Sequence, residues 1–238
     1  MGAYDLSLEQ LTERLVTWGE PAFRARQVYA QIWRRAARYE EMSDVSPHLR
    51  ERLAAELPLE VELLDERSAD RGATRKALLR LGAKGHVIEA VLMGYRDRVT
   101  ACVSSQAGCA MGCGFCATGQ MGLLSNLTAG EIAAQVAWAK REATRMPDST
   151  PQRLTNVVFM GMGEPMANER ATFDAIDRLT DPAGMRMGAR HVTVSTVGLV
   201  PGIRRLAGRH AQVGLAVSFH AADDELRDEL VPDRKSVV

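Results

Sequence analysis

The sequence has four cysteines, and all of them lie between positions 102 and 116. Cys109, Cys113 and Cys116 follow the spacing C-x3-C-x2-C. A span this short between thiols suits a soft metal centre better than a disulfide. Three ligands on one loop also leave a coordination position open, whereas a structural zinc site is normally closed by four ligands. The spacing therefore indicates metal-based chemistry, with a zinc site closed by Cys102 as the alternative.

The cysteine loop resembles the cluster loop of the radical S-adenosylmethionine (SAM) superfamily. In that superfamily, three cysteines hold three irons of a [4Fe–4S] cluster, and the fourth iron binds the amino and carboxylate groups of SAM. Clustered cysteines in intracellular proteins are also common zinc ligands. From the loop alone, both an iron–sulfur cluster and a zinc ion remain open.

The overall composition indicates no class of partner. The 238 residues include 30 Lys plus Arg and 30 Asp plus Glu, so the net charge carries no nucleic-acid signal. The first residues lack the basic and apolar segments of a secretory signal, and no apolar run is long enough to span a membrane. We therefore expect a cytoplasmic protein without membrane association, in which clustered thiols stay reduced.

Two stretches are locally basic. The first is a predicted helix over 23–39, where five arginines alternate with four aromatic residues and no acid occurs before Glu40. Arginines neutralise phosphates and aromatic rings stack on unpaired bases. Taken alone, however, this pattern favours a solvated helix whose aromatic residues lie in the core. The second run, 67–84, holds six basic residues and one acid. The two stretches together shift the balance toward contact with RNA. The helix residues concerned are Arg24, Arg26, Arg34, Arg35, Arg38, Phe23, Tyr29, Trp33 and Tyr39.

Hydrophobic periodicity predicts helices in residues 1–60, a β-hairpin over 76–93, and then strands alternating with helices. Capping boxes at Ser7–Gln10 and Thr128–Glu131 mark two helix starts. The predicted strands after the hairpin are 98–104, 156–160, 191–196 and 212–220. Such alternation predicts a parallel α/β sheet, doubly wound or barrel-like, whose ligands bind at the carboxyl ends of the strands. The cysteine loop and three further polar or Gly-rich segments fall at such ends.

These segments, in this order, resemble the RlmN/Cfr family of radical SAM enzymes. The matching segments are Cys102–Cys109, Gly161–Pro165, Val194–Thr196, Ser218–Ala221 and Asp224–Pro232. The resemblance implies a partial (βα) radical SAM barrel, incomplete at the C-terminus and preceded by a small helical domain and a β-hairpin. The implied division is a helical, RNA-contacting accessory domain (1–60), a hairpin or linker extension (61–97) and a truncated radical SAM core (98–238).

The resemblance also assigns roles to single residues. Cys109, Cys113 and Cys116 would bind the [4Fe–4S] cluster. Glu89 would be the proton acceptor, although the strand pattern alone favours an outward, solvated carboxylate. Cys102 would assist release of an RNA–enzyme adduct. The residues expected to contact SAM are Gly163, Glu164, Ser195, Ser218, Phe219 and His220.

The implied activity is methylation of C2 of an adenine in 23S rRNA, and of a tRNA adenine as a second substrate, through a methyl-cysteine intermediate. The alternatives are methylation at C8, as in the Cfr branch, and a non-catalytic RNA-binding remnant. The implied partners are the RNA and an electron donor such as flavodoxin or ferredoxin, and the chain is expected to be monomeric.

The sequence departs from the family at its C-terminal end. No cysteine follows Cys116, although the family's methyl-carrying cysteine lies late in the chain, and residues 233–238 no longer follow the family pattern. We therefore expect a truncated chain that binds a cluster but does not methylate RNA. We also expect its fourth strand to form an exposed apolar edge.

Overall fold

The structure is a computed structural model that describes residues 2–59, 61–82 and 84–232. The helices are α1 (Leu8–Thr17), α2 (Ala22–Arg34), α3 (Pro47–Glu56), α4 (Ala117–Gln120), α5 (Ala129–Ala143), α6 (Glu169–Thr180), α7 (Val200–Arg209) and α8 (Asp224–Leu230). The strands are β1 (Val61–Ala69), β2 (Thr74–Leu81), β3 (His86–Gly94), β4 (Val99–Cys102), β5 (Gln106–Gly108), β6 (Leu123–Asn126), β7 (Asn156–Phe159), β8 (Val192–Thr196) and β9 (Gly214–Val217). Across these residues, no helix is both long and apolar enough to cross a membrane.

The N-terminal helices begin where the sequence predicts. The Ser7 hydroxyl accepts a hydrogen bond from the Gln10 amide at 3.1 Å, and the Gln10 side chain accepts one from the Ser7 amide at 2.9 Å. The second helix ends at Arg34, five residues before the predicted Tyr39. Ala36 takes a φ of 50°, a left-handed conformation that cannot continue an α-helix.

Seven strands form one mixed sheet in the order β1-β2-β3-β4-β7-β8-β9. The first four pair in antiparallel fashion, and β4, β7, β8 and β9 run parallel with α5, α6 and α7 in the crossovers. This arrangement confirms the predicted α/β architecture with a partial barrel. Strand β1 and the small β5–β6 sheet were not predicted from the sequence, and the observed β9 is shorter than the predicted strand.

The two faces of the large sheet differ. On one face, alternate residues such as Ile88, Ala90 and Leu92 of β3 are buried, and α5 packs against this face. On the other face lie the half-buried alternate residues, and the strand register aligns Val91 of β3 with Cys102 of β4. The open face is therefore the one that can line a site.

The strand β9 ends the sheet on one side. In the described part of the chain it pairs with β8 alone. Its side chains Leu215 and Val217 are 42% and 46% exposed. The expected apolar edge is therefore present at β9.

The N-terminal helices pack on the outer helices of the sheet. The Arg141 guanidinium of α5 donates two hydrogen bonds to the Glu41 carboxylate, at 2.7 and 2.8 Å. The Tyr29 hydroxyl donates to the Asp181 carboxylate at 2.8 Å, just after α6. These contacts leave the open face of the sheet free.

Candidate active site

The predicted site residues meet where the parallel strands end. The segment 161–165 follows β7, Ser195 lies near the end of β8, and Ser218 follows β9. The hydroxyl oxygens of Ser195 and Ser218 are 3.4 Å apart. The ring of Phe115 in the cysteine loop contacts the ring of His220, with 4.7 Å between centroids. The carboxyl ends of β4, β7, β8 and β9 therefore converge on one rim, as the sequence predicts.

A small hairpin positions the cysteine loop. Strands β5 and β6 enclose it, and the Cys109 amide donates a hydrogen bond to the Gly122 carbonyl at 3.0 Å. Gly108 has a φ of 75°, and a Cβ at this position would collide with the same carbonyl oxygen. Glycine at 108 therefore permits the close approach that places the first cysteine of the motif.

The three motif cysteines are close to one another. Cys109 and Cys113 are buried, and Cys116 packs beside them, over an apolar floor that includes Val231. Burial raises the pKa of the Cys113 thiol, and the neighbouring Cys109 and Cys116 raise it further by charge repulsion. A thiol that resists ionisation beside two further thiols is an arrangement that bound positive charge would stabilise.

The geometry bears on the choice between a zinc ion and a cluster. A single zinc ion needs its sulfur ligands to converge to about 2.3 Å from the metal. Within residues 2–59, 61–82 and 84–232, no three His, Cys, Asp or Glu side chains are grouped to hold one metal ion. In a [4Fe–4S] cluster, by contrast, each thiolate binds a different iron, so the three thiols need not converge on one point.

The loop after β7 is bound tightly to the start of the cysteine loop. Gly163 has a φ of 97°, and a Cβ there would lie 2.7 Å from the Gln106 amide nitrogen. The Ser104 hydroxyl accepts a hydrogen bond from the Met162 amide at 2.9 Å and donates one to the Glu89 carbonyl at 2.7 Å. Ser104 therefore joins β3, β4 and the loop after β7 at one point.

Glu164 is the most internal of the predicted SAM-contacting residues, with 3% of its surface exposed. One carboxylate oxygen accepts from the Met166 amide at 2.9 Å and the other from the Val197 amide at 2.8 Å. Burial raises the pKa of Glu164, while these two amides and the Thr196 side chain lower it. The carboxylate therefore fastens the end of β8 to the loop after β7, and the SAM contact assigned to Glu164 stays a prediction.

Arg227 is a rim residue that the sequence analysis missed. From α8, its guanidinium donates to the Val197 carbonyl at 2.6 Å and to the Phe219 carbonyl at 3.0 Å, and it lies 5.4 Å from the centre of the Phe219 ring. The backbone of Val197 is thus held at its N–H by Glu164 and at its C=O by Arg227. The only sequence signal was that Arg227 falls in a family-like segment.

Glu89 lies on the open face of β3, near the carboxyl end of β4. Its carboxylate forms an ion pair with Lys76 at 2.5 Å, and the two side chains are 45% and 51% exposed. The strand pattern was therefore right that this carboxylate is solvated. The resemblance placed it at the site, and the shared face with Cys102 is compatible with that role, which stays a prediction.

Cys102 stands apart from the other three cysteines. It occupies the last position of β4, between Val91 and Val158 in the neighbouring strands. Burial raises the pKa of its thiol to about 11, partly offset by a backbone hydrogen bond from Met160. Cys102 is therefore a protonated thiol at neutral pH, and its predicted separate role is not tested by the geometry.

Two buried amides also position the rim and were not predicted. Gln135 of α5 accepts from the Ser104 amide at 2.8 Å and donates to the Ser104 carbonyl at 2.9 Å. Asn168 donates to the carbonyls of Ser105 and Leu127, both at 2.8 Å. Each satisfies backbone groups that lie far away in sequence, which no local pattern can indicate.

The proposed stacking of RNA bases on the N-terminal helix is wrong for three of its four aromatic residues. Tyr29, Trp33 and Tyr39 are 5% exposed or less and belong to the core. Phe23 is 47% exposed and lies under the Arg24 guanidinium, 5.0 Å from its ring centre. The simpler interpretation, a solvated helix with its aromatics inside, therefore holds for most of this helix.

The second basic run is largely neutralised by acids that the sequence analysis did not count. Arg75 forms ion pairs with Glu66 at 2.7 Å and Glu142 at 2.8 Å. Lys76 pairs with Glu89, as described above. The two remaining acidic partners lie on β1, the strand that was not predicted. Arg80 pairs with Glu62, and Arg67 pairs with Asp65. Four of the six basic residues of this run are therefore paired with acids, which weakens the case for a phosphate-binding surface here.

Comparison with known proteins agrees with this architecture. Residues 3–58 match the profile of the "Ribosomal RNA large subunit methyltransferase N-terminal domain", and residues 103–236 match that of the "Radical SAM superfamily". A crystal structure of a radical SAM methyltransferase from Sphaerobacter thermophilus is 49% identical, superimposes with a TM-score of 0.93, and is covered over 68% of its length by 99% of this chain.

Curated relatives give the same picture. The "Probable dual-specificity RNA methyltransferase RlmN" of Chloroflexus aurantiacus is 54% identical over 232 residues, and that of Roseiflexus castenholzii is 48% identical over 262. These matches include 96% of this chain but only 61% and 65% of the relatives, so the chain spans less than two thirds of their length. The two profiles, the solved structure and these relatives place the chain in the radical SAM superfamily, as a member of its RlmN family.

Proposed function

We propose that this chain holds a [4Fe–4S] cluster and SAM at the rim of its parallel strands. We further propose that, in a protein of the relatives' length, this site methylates C2 of an adenine in 23S rRNA and in a tRNA. One observation carries the proposal. The three-cysteine loop and the ends of β7, β8 and β9 are joined into one rim by three contacts: the Phe115–His220 ring contact, the 3.4 Å Ser195–Ser218 contact and the Glu164 carboxylate.

In this proposal, Cys109, Cys113 and Cys116 bind the cluster as thiolates, and the apolar floor shields it from water. A bound cluster of this kind supplies the electron for reductive cleavage of SAM. Gly163 and the two serine hydroxyls present acceptor oxygens on the open side of the rim, which suit the ammonium group of SAM. The exposed rings of Phe219 and His220 offer flat surfaces to its adenine.

Proton handling falls to groups on the open face of the sheet. Glu89 is the proposed acceptor of the proton that leaves the substrate carbon, and its exposure keeps it accessible to a bound base. Because the Cys102 thiol has a pKa of about 11, it stays unreactive until a base removes its proton. This property fits a thiol that acts late, in release of the RNA adduct. The proposed setting is the cytoplasm, with a flavodoxin or ferredoxin as electron donor and a monomeric chain.

The test is anaerobic reconstitution of this chain with iron and sulfide. We expect a brown protein with about four irons and four sulfides per chain, which forms 5′-deoxyadenosine when SAM and dithionite are added. Cys102→Ala should retain the cluster, because Cys102 lies outside the motif. A colourless protein that takes up zinc and no sulfide would contradict the proposal.

Methylation itself needs a separate measurement. The 238 residues contain no cysteine after Cys116, and the methyl-transfer route requires a second cysteine beside Cys102. We therefore expect the reconstituted chain to cleave SAM without methylating RNA. Tritium transfer from methyl-labelled SAM to an rRNA fragment, by this chain alone, is the result that would refute this restriction.

A further inference from the structure

We propose that the amino ends of the same parallel strands carry a second RNA-contacting surface, which binds phosphodiester groups outside the catalytic rim. This inference rests on the proposed function only in taking RNA as the polyanion. The surface is lined by Lys140, Arg153, Arg186 and His191, and we call it the basic pocket.

The basic pocket is a depression of about 300 Å³. Arg153 lies in the loop that leads into β7, and Arg186 and His191 lie in the segment that leads into β8. Lys140 reaches it from the last turn of α5. The residues come from three separate parts of the chain, so the sheet topology rather than sequence proximity brings their charges together.

The charges in the basic pocket are not neutralised. None of the nine residues that line it is acidic. Arg153 and Arg186 are exposed, and neither side chain has a hydrogen-bond or ion-pair partner in the part of the chain that the structure describes. Lys140 donates to the Trp33 carbonyl at 3.1 Å, which satisfies one of its three N–H groups but not its charge. An anionic partner is what such a group of cations lacks.

The basic pocket continues onto the N-terminal helices. The Lys140 contact with Trp33 brings it to the last turn of α2. There Arg34 donates to the Pro182 carbonyl at 3.4 Å, and Arg35 is exposed beside it. The positive surface is therefore an extended band rather than a single enclosed site. An extended band of exposed cations suits a polymer of phosphates, whose counterions are released at several points at once.

The distances allow one RNA to contact both ends of the sheet. Strand β8 has five residues, which corresponds to roughly 16 Å between the two ends at the usual rise of a strand. A folded RNA whose target base enters the rim is much larger than this separation. Phosphates next to the target region can therefore reach the basic pocket, where they would add affinity without reading sequence.

The test is RNA binding by the apo chain, measured as fluorescence anisotropy of a labelled hairpin of about 20 nucleotides across a salt series. We expect Arg153→Glu and Arg186→Glu each to raise Kd by about 5- to 10-fold and to lower the slope of log Kd against log salt by about one. Arg67→Glu is the matched control, since Arg67 is 85% exposed but lies 3.7 Å from Asp65. It should change Kd by less than about 2-fold.

Three outcomes would overturn the proposal: equal effects of the control and the pocket variants, no RNA binding by the unsubstituted chain at low salt, or displacement of the hairpin by inorganic phosphate alone at matched ionic strength. The last would indicate a small-anion site. Because Arg186 has a φ of 60°, its variant is checked by thermal unfolding, and Arg153→Ala provides an independent test. None of these outcomes affects the proposed cluster chemistry, which is measured without RNA.

Discussion

The two ends of the parallel strands use their polar side chains in opposite ways. At the carboxyl ends, the side chains of Glu164, Arg227 and Asn168 form hydrogen bonds with backbone groups of neighbouring loops. At the amino ends, Arg153 and Arg186 make no such contacts in the described part of the chain. The hydrogen bonds at the carboxyl ends fix the positions of the loops, whereas the unpaired arginines at the amino ends keep their charges available. A site for a defined small molecule needs fixed loops, but a diffuse contact with a polyanion needs only available charge.

The largest expected effect is the loss of Cys113, at the centre of the carboxyl-end site. Cys113→Ala should reduce the iron content after reconstitution from about four per chain to trace amounts, because two thiolates do not retain the cluster. Iron and sulfide analysis measures this. If the two ends of the strands act independently, the apo variant should bind RNA as tightly as the unsubstituted chain does. A changed RNA affinity would show that the two ends are coupled.

The next effect concerns the carboxylate that fastens the rim. Glu164→Gln should lower the free energy of unfolding by about 1–3 kcal/mol, because an amide cannot accept hydrogen bonds at both positions where the Met166 and Val197 amides now point. Urea denaturation of the apo chain measures this. Asp148→Asn, on an exposed loop, is a control for loss of one carboxylate. Equal stability of the Glu164 variant would mean that its buried hydrogen bonds are dispensable.

A smaller effect is expected at the rim from Arg227. Arg227→Ala frees the carbonyls of Val197 and Phe219, so the segment that follows β9 should lose its fixed position. We expect SAM to bind the reconstituted chain about 10-fold more weakly, roughly the contribution of a charge-assisted pair of hydrogen bonds. The cluster content should be unchanged. Arg205→Ala, which removes an exposed pair with Glu169, is the control and should leave SAM affinity intact. Faster amide exchange around Val197 in the apo variant is a second readout.

The smallest effect lies where the N-terminal helices meet α5. The paired Arg141 guanidinium lowers the pKa of Glu41 from 4.5 to about 2. A carboxyl whose pKa is lowered by folding adds stability above pH 4.5, and that contribution is lost as pH falls from 4.5 to 2. Glu41→Gln should therefore cost about 1 kcal/mol or less at pH 7, since the pair is partly exposed to solvent. Unfolding curves measured at pH 7 and at pH 3 should show a smaller difference in the free energy of unfolding between the two proteins at pH 3 than at pH 7.

Local patterns predicted the features of this molecule that have local causes. The caps at Ser7 and Thr128 hold because a hydroxyl and an amide three residues apart interact within one helical turn. The cysteine spacing and the alternation of strands and helices located the rim. Strand β1 was missed because its sequence is mostly polar and exposed on both faces, so it lacks the period-two pattern of a half-buried strand.

Ion pairs between residues that lie far apart in the chain could not be predicted from the sequence. Arg75 and Arg80 looked free because their acidic partners lie across strand pairs, as Glu66 does for Arg75, or on a distant helix, as Glu142 does. The reverse holds for Arg153 and Arg186, which are ordinary single arginines until two loops bring them to one depression. Whether a charge is neutralised depends on tertiary neighbours, so counts of charges along the chain misjudged both regions.

The packing of Val231 against Cys109 and Cys113 has a consequence for the order of events during synthesis. Val231 is translated 115 residues after Cys116, which takes on the order of 6 to 23 s at usual elongation rates. Through that interval the cysteines lack the apolar floor that Leu230 of α8 and the following Val231 complete. The pocket around these cysteines is therefore complete only after α8 and Val231 have been translated, and not when the cysteine motif itself has been made.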